Sequence, residues 1–233
     1  MKQFREEREQ ALLILFDVSG SEDFGKDFEN KLHMGTELAA VMAFSAMKNN
    51  DKVGLLTFTD RIESVHPPKK GKKHVLSFIR SLLSQRPKNR GTDIKFALDY
   101  VRRVYKRRSI VVLISDFLDD GYFRPLEHLA RRHDLILIRL MHEQEILENV
   151  AGILPVTDAE TGRVSWVNAR DAQSRSNLKQ RFMDISHELE RFCLRNQVDF
   201  LTLDSSKNQP DNHYYIKELE KLFRRRNGRS KAG

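Results

Sequence analysis

A chain of 233 residues can hold one large α/β domain, or two small ones, around a substantial core. Charged residues at 32% and apolar residues at 39% exclude a disordered chain, and no apolar run approaches the ~20 residues of a membrane span. The net charge of +8 gathers at residues 69–73, 102–108 and 224–231, without the interleaved aromatics of a base-stacking platform. Solvated faces and helix-end charges rank first as its explanation, an acidic protein partner second and nucleic acid last.

Residues 1–10 form a charged lead-in that lacks the apolar centre of a signal peptide. Ala11 to Val18 is an apolar run that predicts a strand buried on both faces, with Asp17 where it would emerge from a sheet. Asp17, Ser19 and Ser21 then offer oxygen donors at alternate positions, and Gly20 frees the backbone to turn. A small hard cation suits such a set. Serines after a strand are equally turn formers or helix caps, so the D-x-S-x-S run is only moderately specific.

Residues 22–31 read as a polar loop. Leu38, Val41, Met42 and Ala46 recur at helical spacing, and Asn49-Asn50-Asp51 stops that helix. Residues 53–58 form the second strand, residues 62–65 pair back onto it as a hairpin, and Pro67-Pro68 ends the edge. Val75, Leu76, Ile79, Leu82 and Leu83 mark the next helix. Asn89-Arg90-Gly91-Thr92-Asp93 leads into another, with Ile94, Ala97, Leu98, Val101 and Tyr105 inward. Residues 110–115 are the most apolar strand, and it too ends in a carboxylate, Asp116.

Helix 122–132 and strand 135–140 continue the alternation, and residues 152–167 interrupt it with a small surface hairpin. Leu178, Phe182, Ile185, Leu189 and Phe192 describe a long helix, and residues 200–203 the last strand. Ile216, Leu219, Leu222 and Phe223 mark the last helix, before a disordered basic tail at 227–233. Trp166 in the hairpin reads as an interface anchor or as plain packing. The single cysteine, Cys193, leaves no disulfide framework or cysteine metal cluster and fits a reducing, cytoplasmic setting.

The expected architecture is therefore one α/β domain over residues 11–226. It is a doubly wound, mostly parallel six-stranded sheet with one antiparallel edge strand, helices on both faces and an extra hairpin. Sites in such sheets lie at the carboxyl ends of strands, where strand order reverses. Asp17 and Asp116 both end apolar strands that should be central and adjacent, and Thr92 opens a helix whose preceding loop should rise on the same edge.

Asp17, Ser19, Ser21, Thr92 and Asp116 together resemble the metal-ion-dependent adhesion site (MIDAS) of von Willebrand factor A domains, with no position missing. The resemblance implies that the serine hydroxyls bind Mg²⁺ or Mn²⁺ directly, with Thr92 and the aspartates joining directly or through water. One coordination position would be left for a partner protein's carboxylate. Several stretches also resemble a bacterial branch whose genes lie beside MoxR-type AAA+ ATPases: the Phe-Arg-Glu-Glu-Arg-Glu-Gln run at 4–10, Pro67-Pro68 with Gly71, Arg107-Arg108-Ser109, Ser115-Asp116-Phe117-Leu118-Asp119 and Ala130-Arg131-Arg132-His133-Asp134. That resemblance implies a partner or adaptor of the ATPase in assembly or metal insertion, and an additional segment ahead of the Glu-Glu-Arg-Glu run.

Two enzymatic readings compete. Gly20 to Lys26 matches G-x-x-x-x-G-K after a strand, but Asp27 stands where a P-loop needs a hydroxyl, and Glu22 and Asp23 would oppose phosphate. A Mg²⁺-dependent phosphohydrolase could use Asp17 as nucleophile, yet Ser19 occupies the position of its second acid, and no lysine lies at an obvious strand end. The histidines lack ligand spacing. The expectation is a non-catalytic module that grips a partner's carboxylate through a divalent ion.

Overall fold

The computed structural model describes residues 11–19, 25–84, 91–141, 153–157, 164–168, 172–207 and 214–230. Its strands are β1 (Ala11–Asp17), β2 (Lys52–Phe58), β3 (Ile62–Lys69), β4 (Ile110–Ser115), β5 (Asp134–Met141), β6 (Ile153–Thr157), β7 (Val164–Asn168) and β8 (Asp199–Asp204). The helices are α1 (Gly25–Lys48), α2 (Lys72–Leu83), α3 (Ile94–Val104), α4 (Phe123–Ala130), α5 (Ala172–Asn196) and α6 (Tyr214–Ser230). Six strands form one sheet in the order β3-β2-β1-β4-β5-β8, parallel except for β3, which runs antiparallel along β2. β6 and β7 pair separately as the expected hairpin, with Pro155 opposite Trp166.

The unbroken apolar character of β1 follows from its place inside the sheet. Leu12, Ile14 and Phe16 join one core with α1, α2 and α6, while Leu13 and Leu15 join the opposite core with α3, α4 and α5. Both faces are dry, so alternation of polar and apolar residues disappears. β1 pairs in register with both β2 and β4, with Phe16 beside Thr57 and Ile114. The chain leaves β1 for β2 on one side and reaches β4 on the other, so strand order reverses between β1 and β4. That gap opens at the carboxyl ends of the two strands.

Helix α1 lies close over this end of β1. A Cβ on Gly35 would stand 2.4 Å from Phe16 Cζ, so the absence of a side chain lets the helix rest on the Phe16 ring, one residue below Asp17. The helix begins at Gly25, not after residue 31 as the polar composition suggested. Glu29, Lys31 and their neighbours have serviceable helix propensity, and a polar first turn continues readily from an anchored amphipathic helix.

Other expectations shift by a turn or a face. On α1, Leu38, Met42 and Ala46 are buried, but Val41 is exposed. α2 buries Val75, Phe78 and Leu82 and turns Leu76 and Leu83 outward, because Phe78 supplies the larger apolar surface on the i, i+3, i+7 face. β3 runs through Pro67-Pro68 to Lys69, since an edge strand need not donate outward, and the pairing slips between Val53 and Leu55. α6 is helical to Ser230, beyond the residue 227 at which a disordered tail was expected, and it turns Phe223 outward while burying Leu219 and Leu222. Residues 1–10 and 231–233 lie outside the described residues. Among the described residues no helix is long and apolar enough to cross a membrane.

Candidate metal centre

Asp17 ends β1 with its carboxylate turned into the gap beside β4. Ser115, the last residue of β4, donates its hydroxyl to Asp17 Oδ2 at 2.6 Å, and this hydroxyl accepts the Phe117 amide at 3.0 Å. The other oxygen, Asp17 Oδ1, accepts from the Ser19 amide at 3.0 Å and from the Ser19 hydroxyl at 2.5 Å. Both carboxylate oxygens are thus aimed by local donors, and the turn after β1 is fixed by its own aspartate.

The third segment arrives from the far side of β2. Asp93 donates its amide to the Thr59 carbonyl at 3.1 Å, pinning the 91–93 loop to the end of β2. Thr92 Oγ1 then meets Ser19 Oγ in a hydrogen bond across 73 residues of sequence. Asp93 Oδ1 caps α3 by accepting the Phe96 amide at 2.7 Å, and Asp119 Oδ2 accepts the Ile94 amide at 2.8 Å. Asp119 therefore ties the loop after β4 to the loop that carries Thr92.

Asp116 follows β4 directly. Its Oδ1 accepts the Leu118 amide at 3.0 Å, and its carbonyl accepts Arg139 Nε at 3.3 Å. Phe117 sits in the left-handed region at φ 60° with its ring fully buried, a conformation that costs an L-residue energy and persists only where the surroundings impose it. Those surroundings are Ser115 Oγ on its amide and the Tyr122 hydroxyl donating to its carbonyl at 3.3 Å. Arg139 on β5 is buried and also donates to the Ser186 hydroxyl on α5. Burial draws its ionisation below the usual guanidinium range, against the opposing pull of Asp116.

Between these groups lies a recess of about 30 Å³ lined by Phe16, Asp17, Ser19, Lys31, Leu32, Ser115, Asp116 and Leu140. One water needs about 10–15 Å³, so a small ion with a water fits. Burial, and after it the neighbouring charge of Asp116, push the Asp17 carboxyl up from its usual range to about 7, against the lowering effect of the Ser115 and Ser19 hydrogen bonds. Two acids facing one recess, with hydroxyls beside them, call for a cation of hard-oxygen preference. Among the described residues no group of three or more His, Cys, Asp and Glu side chains could hold a metal ion. The candidate centre rests instead on two carboxylates completed by hydroxyls.

Of the five residues singled out from sequence, the structure brings Asp17, Ser19 and Thr92 into direct contact and sets Asp116 at the same recess. Ser21 and the 20–24 stretch of the P-loop-like match lie outside the described residues. Ser115, Asp119 and Arg139 went unnoticed as contributors. A hydroxyl at the end of a buried strand was the available signal for Ser115, Asp119 stood in the 115–119 stretch that carries the family resemblance but without a role, and nothing in the linear pattern marked Arg139. The sequence shows no lysine at an obvious strand end, and the cation at the site comes from a helix instead. Lys31 of α1 lines the recess with Nζ 3.7 Å from Asp116 Oδ2, because the helix begins earlier than its polar composition suggested.

Comparison with known proteins places these features in context. The family model described as "Protein of unknown function DUF58" matches residues 1–188. An uncharacterised protein of Mycobacterium bovis is 28% identical over 167 residues, covering 70% of this chain and 53% of its own length. A second uncharacterised protein, from Mycobacterium avium, is 36% identical over 86 residues, which are 36% of this chain and 50% of that protein. The chain thus spans about half the length of the mycobacterial relatives it matches. Among solved structures, the conserved hypothetical protein BatB of Bacteroides thetaiotaomicron superposes with a TM-score of 0.51 at 15% identity, covering 92% of this chain and 99% of that one. An aerotolerance-related membrane protein of Bacteroides fragilis gives 0.51 at 16% identity, covering 84% and 92%. At these identities the likeness establishes the fold, which is von Willebrand factor A-like.

Proposed function

The chain belongs to the DUF58 family, and from that membership and the geometry of the recess we propose that it is a non-catalytic, metal-dependent interaction module. In this reading Asp17, Ser19, Ser21, Thr92 and Asp116 hold Mg²⁺ or Mn²⁺, and a partner protein's Asp or Glu completes the site. The observation that carries it is the meeting of Ser19 Oγ with both Thr92 Oγ1 and Oδ1 of the buried Asp17, with the Asp116 carboxylate at the same recess. Bound there, the ion supplies a hard positive centre that accepts an external carboxylate. Ser115 and Ser19 orient Asp17, Asp119 braces the Thr92 loop against the Asp116 loop, and Arg139 steadies the Asp116 backbone. Two acids among neutral hydroxyls leave a divalent ion electropositive enough to draw an acid from outside.

The proposed partner is a MoxR-type AAA+ ATPase or its client, in cytoplasmic assembly or metal-insertion work. Lys31 supplies the cation that a phosphohydrolase reading lacked, but both oxygens of Asp17 already accept hydroxyl hydrogen bonds, and Ser19 stands in place of a second acid. Such an aspartate is a poor nucleophile without a proton-transfer partner. The test is capture of a MoxR-type ATPase by immobilised wild-type chain and by Asp17→Ala, in Mg²⁺ and in chelator. Capture by the wild type in Mg²⁺ alone, lost in the folded variant, is expected; equal capture in all four conditions contradicts the proposal.

A further inference from the structure

Lys31 has no place in the proposed ligand set, yet it lines the same recess. Its side chain is 14% exposed and that of Asp116 30%, so this is a half-buried pair, less screened than a surface bridge. The edge strand β8 repeats the arrangement at its own carboxyl end. After β8, Asp204 Oδ1 accepts from the Ser206 amide at 3.0 Å and from the Ser206 hydroxyl at 2.7 Å, the same D-x-S turn that follows β1. There Lys207 Nζ stands 3.3 Å from Asp204 Oδ2. At two strand ends of one sheet, a carboxylate beside a D-x-S turn has a lysine against it. Among the described residues, only at β1 and β4 do a second acid and the Thr92 hydroxyl converge as well.

We infer that Lys31 is a tethered counter-ion of the centre, whose ammonium neutralises Asp116 in the metal-free protein and must yield when a divalent ion binds. This inference rests on the metal-centre reading and deepens it. Lys31 sets the threshold of occupancy: the fold tolerates the facing acids without metal, and the ion binds only where its gain exceeds the loss of the lysine contact. The ammonium is a flexible point charge on a helix, so it can withdraw to water without disturbing the loops that carry the other donors.

The test is titration of the purified chain with Mn²⁺ by calorimetry, with thermal denaturation in Mn²⁺ and in chelator, for the wild type, Lys31→Met, Lys31→Arg and Asp17→Ala. Lys31→Met removes the ammonium that competes with the ion for Asp116 and repels it, so this variant should bind Mn²⁺ about tenfold more tightly or better. It should also melt lower than wild type in chelator and gain more from Mn²⁺. Lys31→Arg, which keeps the charge, should follow the wild type. Unchanged or weaker Mn²⁺ binding by Lys31→Met, with binding lost in Asp17→Ala, overturns the role of Lys31 and leaves the centre standing. Binding that survives in Asp17→Ala, or is absent from both the wild type and Lys31→Met, overturns the centre itself and Lys31's role with it.

Discussion

At the scale of single residues, Asp17 carries the electrostatics of the site. Its carboxyl titrates near 7, raised by burial and then by Asp116, against an unfolded value of 3.8. The folded state therefore holds this proton more tightly than the unfolded one. Asp17 favours the metal-free fold below about pH 4 as much as it ever does, and that advantage is lost as pH rises through 7, with a total effect on the order of a few kcal/mol. Metal needs the ionised form, so Mn²⁺ affinity should fall about tenfold per pH unit below 7, with about one proton released per ion at pH 6 and almost none at pH 8. Calorimetry in buffers of different ionisation enthalpy measures that release, and an affinity flat from pH 6 to 8 would contradict the assignment. The acids and hydroxyls were legible in the sequence because their spacing is short or falls at predicted strand ends. Lys31 and Ser115 were not, because their importance lies in what they face across the fold, and a linear pattern does not record that.

At the scale of elements, the site depends on how three loops are held at fixed separation. β1 and β4 were readable because strands buried on both faces lose their polar alternation and stand out as apolar runs. The start of α1 was not readable, since Gly25 to Lys31 is polar and its helicity depends on the anchored turns that follow. On α2, Leu76 and Leu83 belong to the apolar pattern that marks the helix yet face outward, because several apolar faces compete on a short helix and only tertiary packing chooses Phe78. The brace between loops is testable. Asp119→Ala removes the acceptor for the Ile94 amide while Asp93 continues to cap α3, so the fold should survive with a loss of about 1 kcal/mol, the usual worth of a cap. Mn²⁺ binding should weaken several-fold, because the Thr92 loop is no longer tied to the Asp116 loop. Thermal denaturation alongside Mn²⁺ titration checks both; full affinity in a destabilised variant would remove the brace from the site.

At the scale of the whole molecule, the order β3-β2-β1-β4-β5-β8 brings donors from residues 17, 19, 92 and 116 to one sheet edge. Each donor segment is ordinary by itself, and specificity comes from topology: no other gap between neighbouring strands is flanked by chains departing in opposite directions. The hairpin of β6 and β7 pairs separately from this sheet, an addition to the alternating plan. Because one ion would be shared by three distant loops, loss of any one hydroxyl should be felt by all. The most direct measurement is therefore Mn²⁺ binding by calorimetry to the wild type, Ser19→Ala and Thr92→Ala at pH 8. A single site in the wild type, weakened at least tenfold in each variant with the fold intact, is the expected result, about the worth of one charge-assisted contact. Undiminished binding in Thr92→Ala, the donor from the most distant segment, would contradict a shared centre.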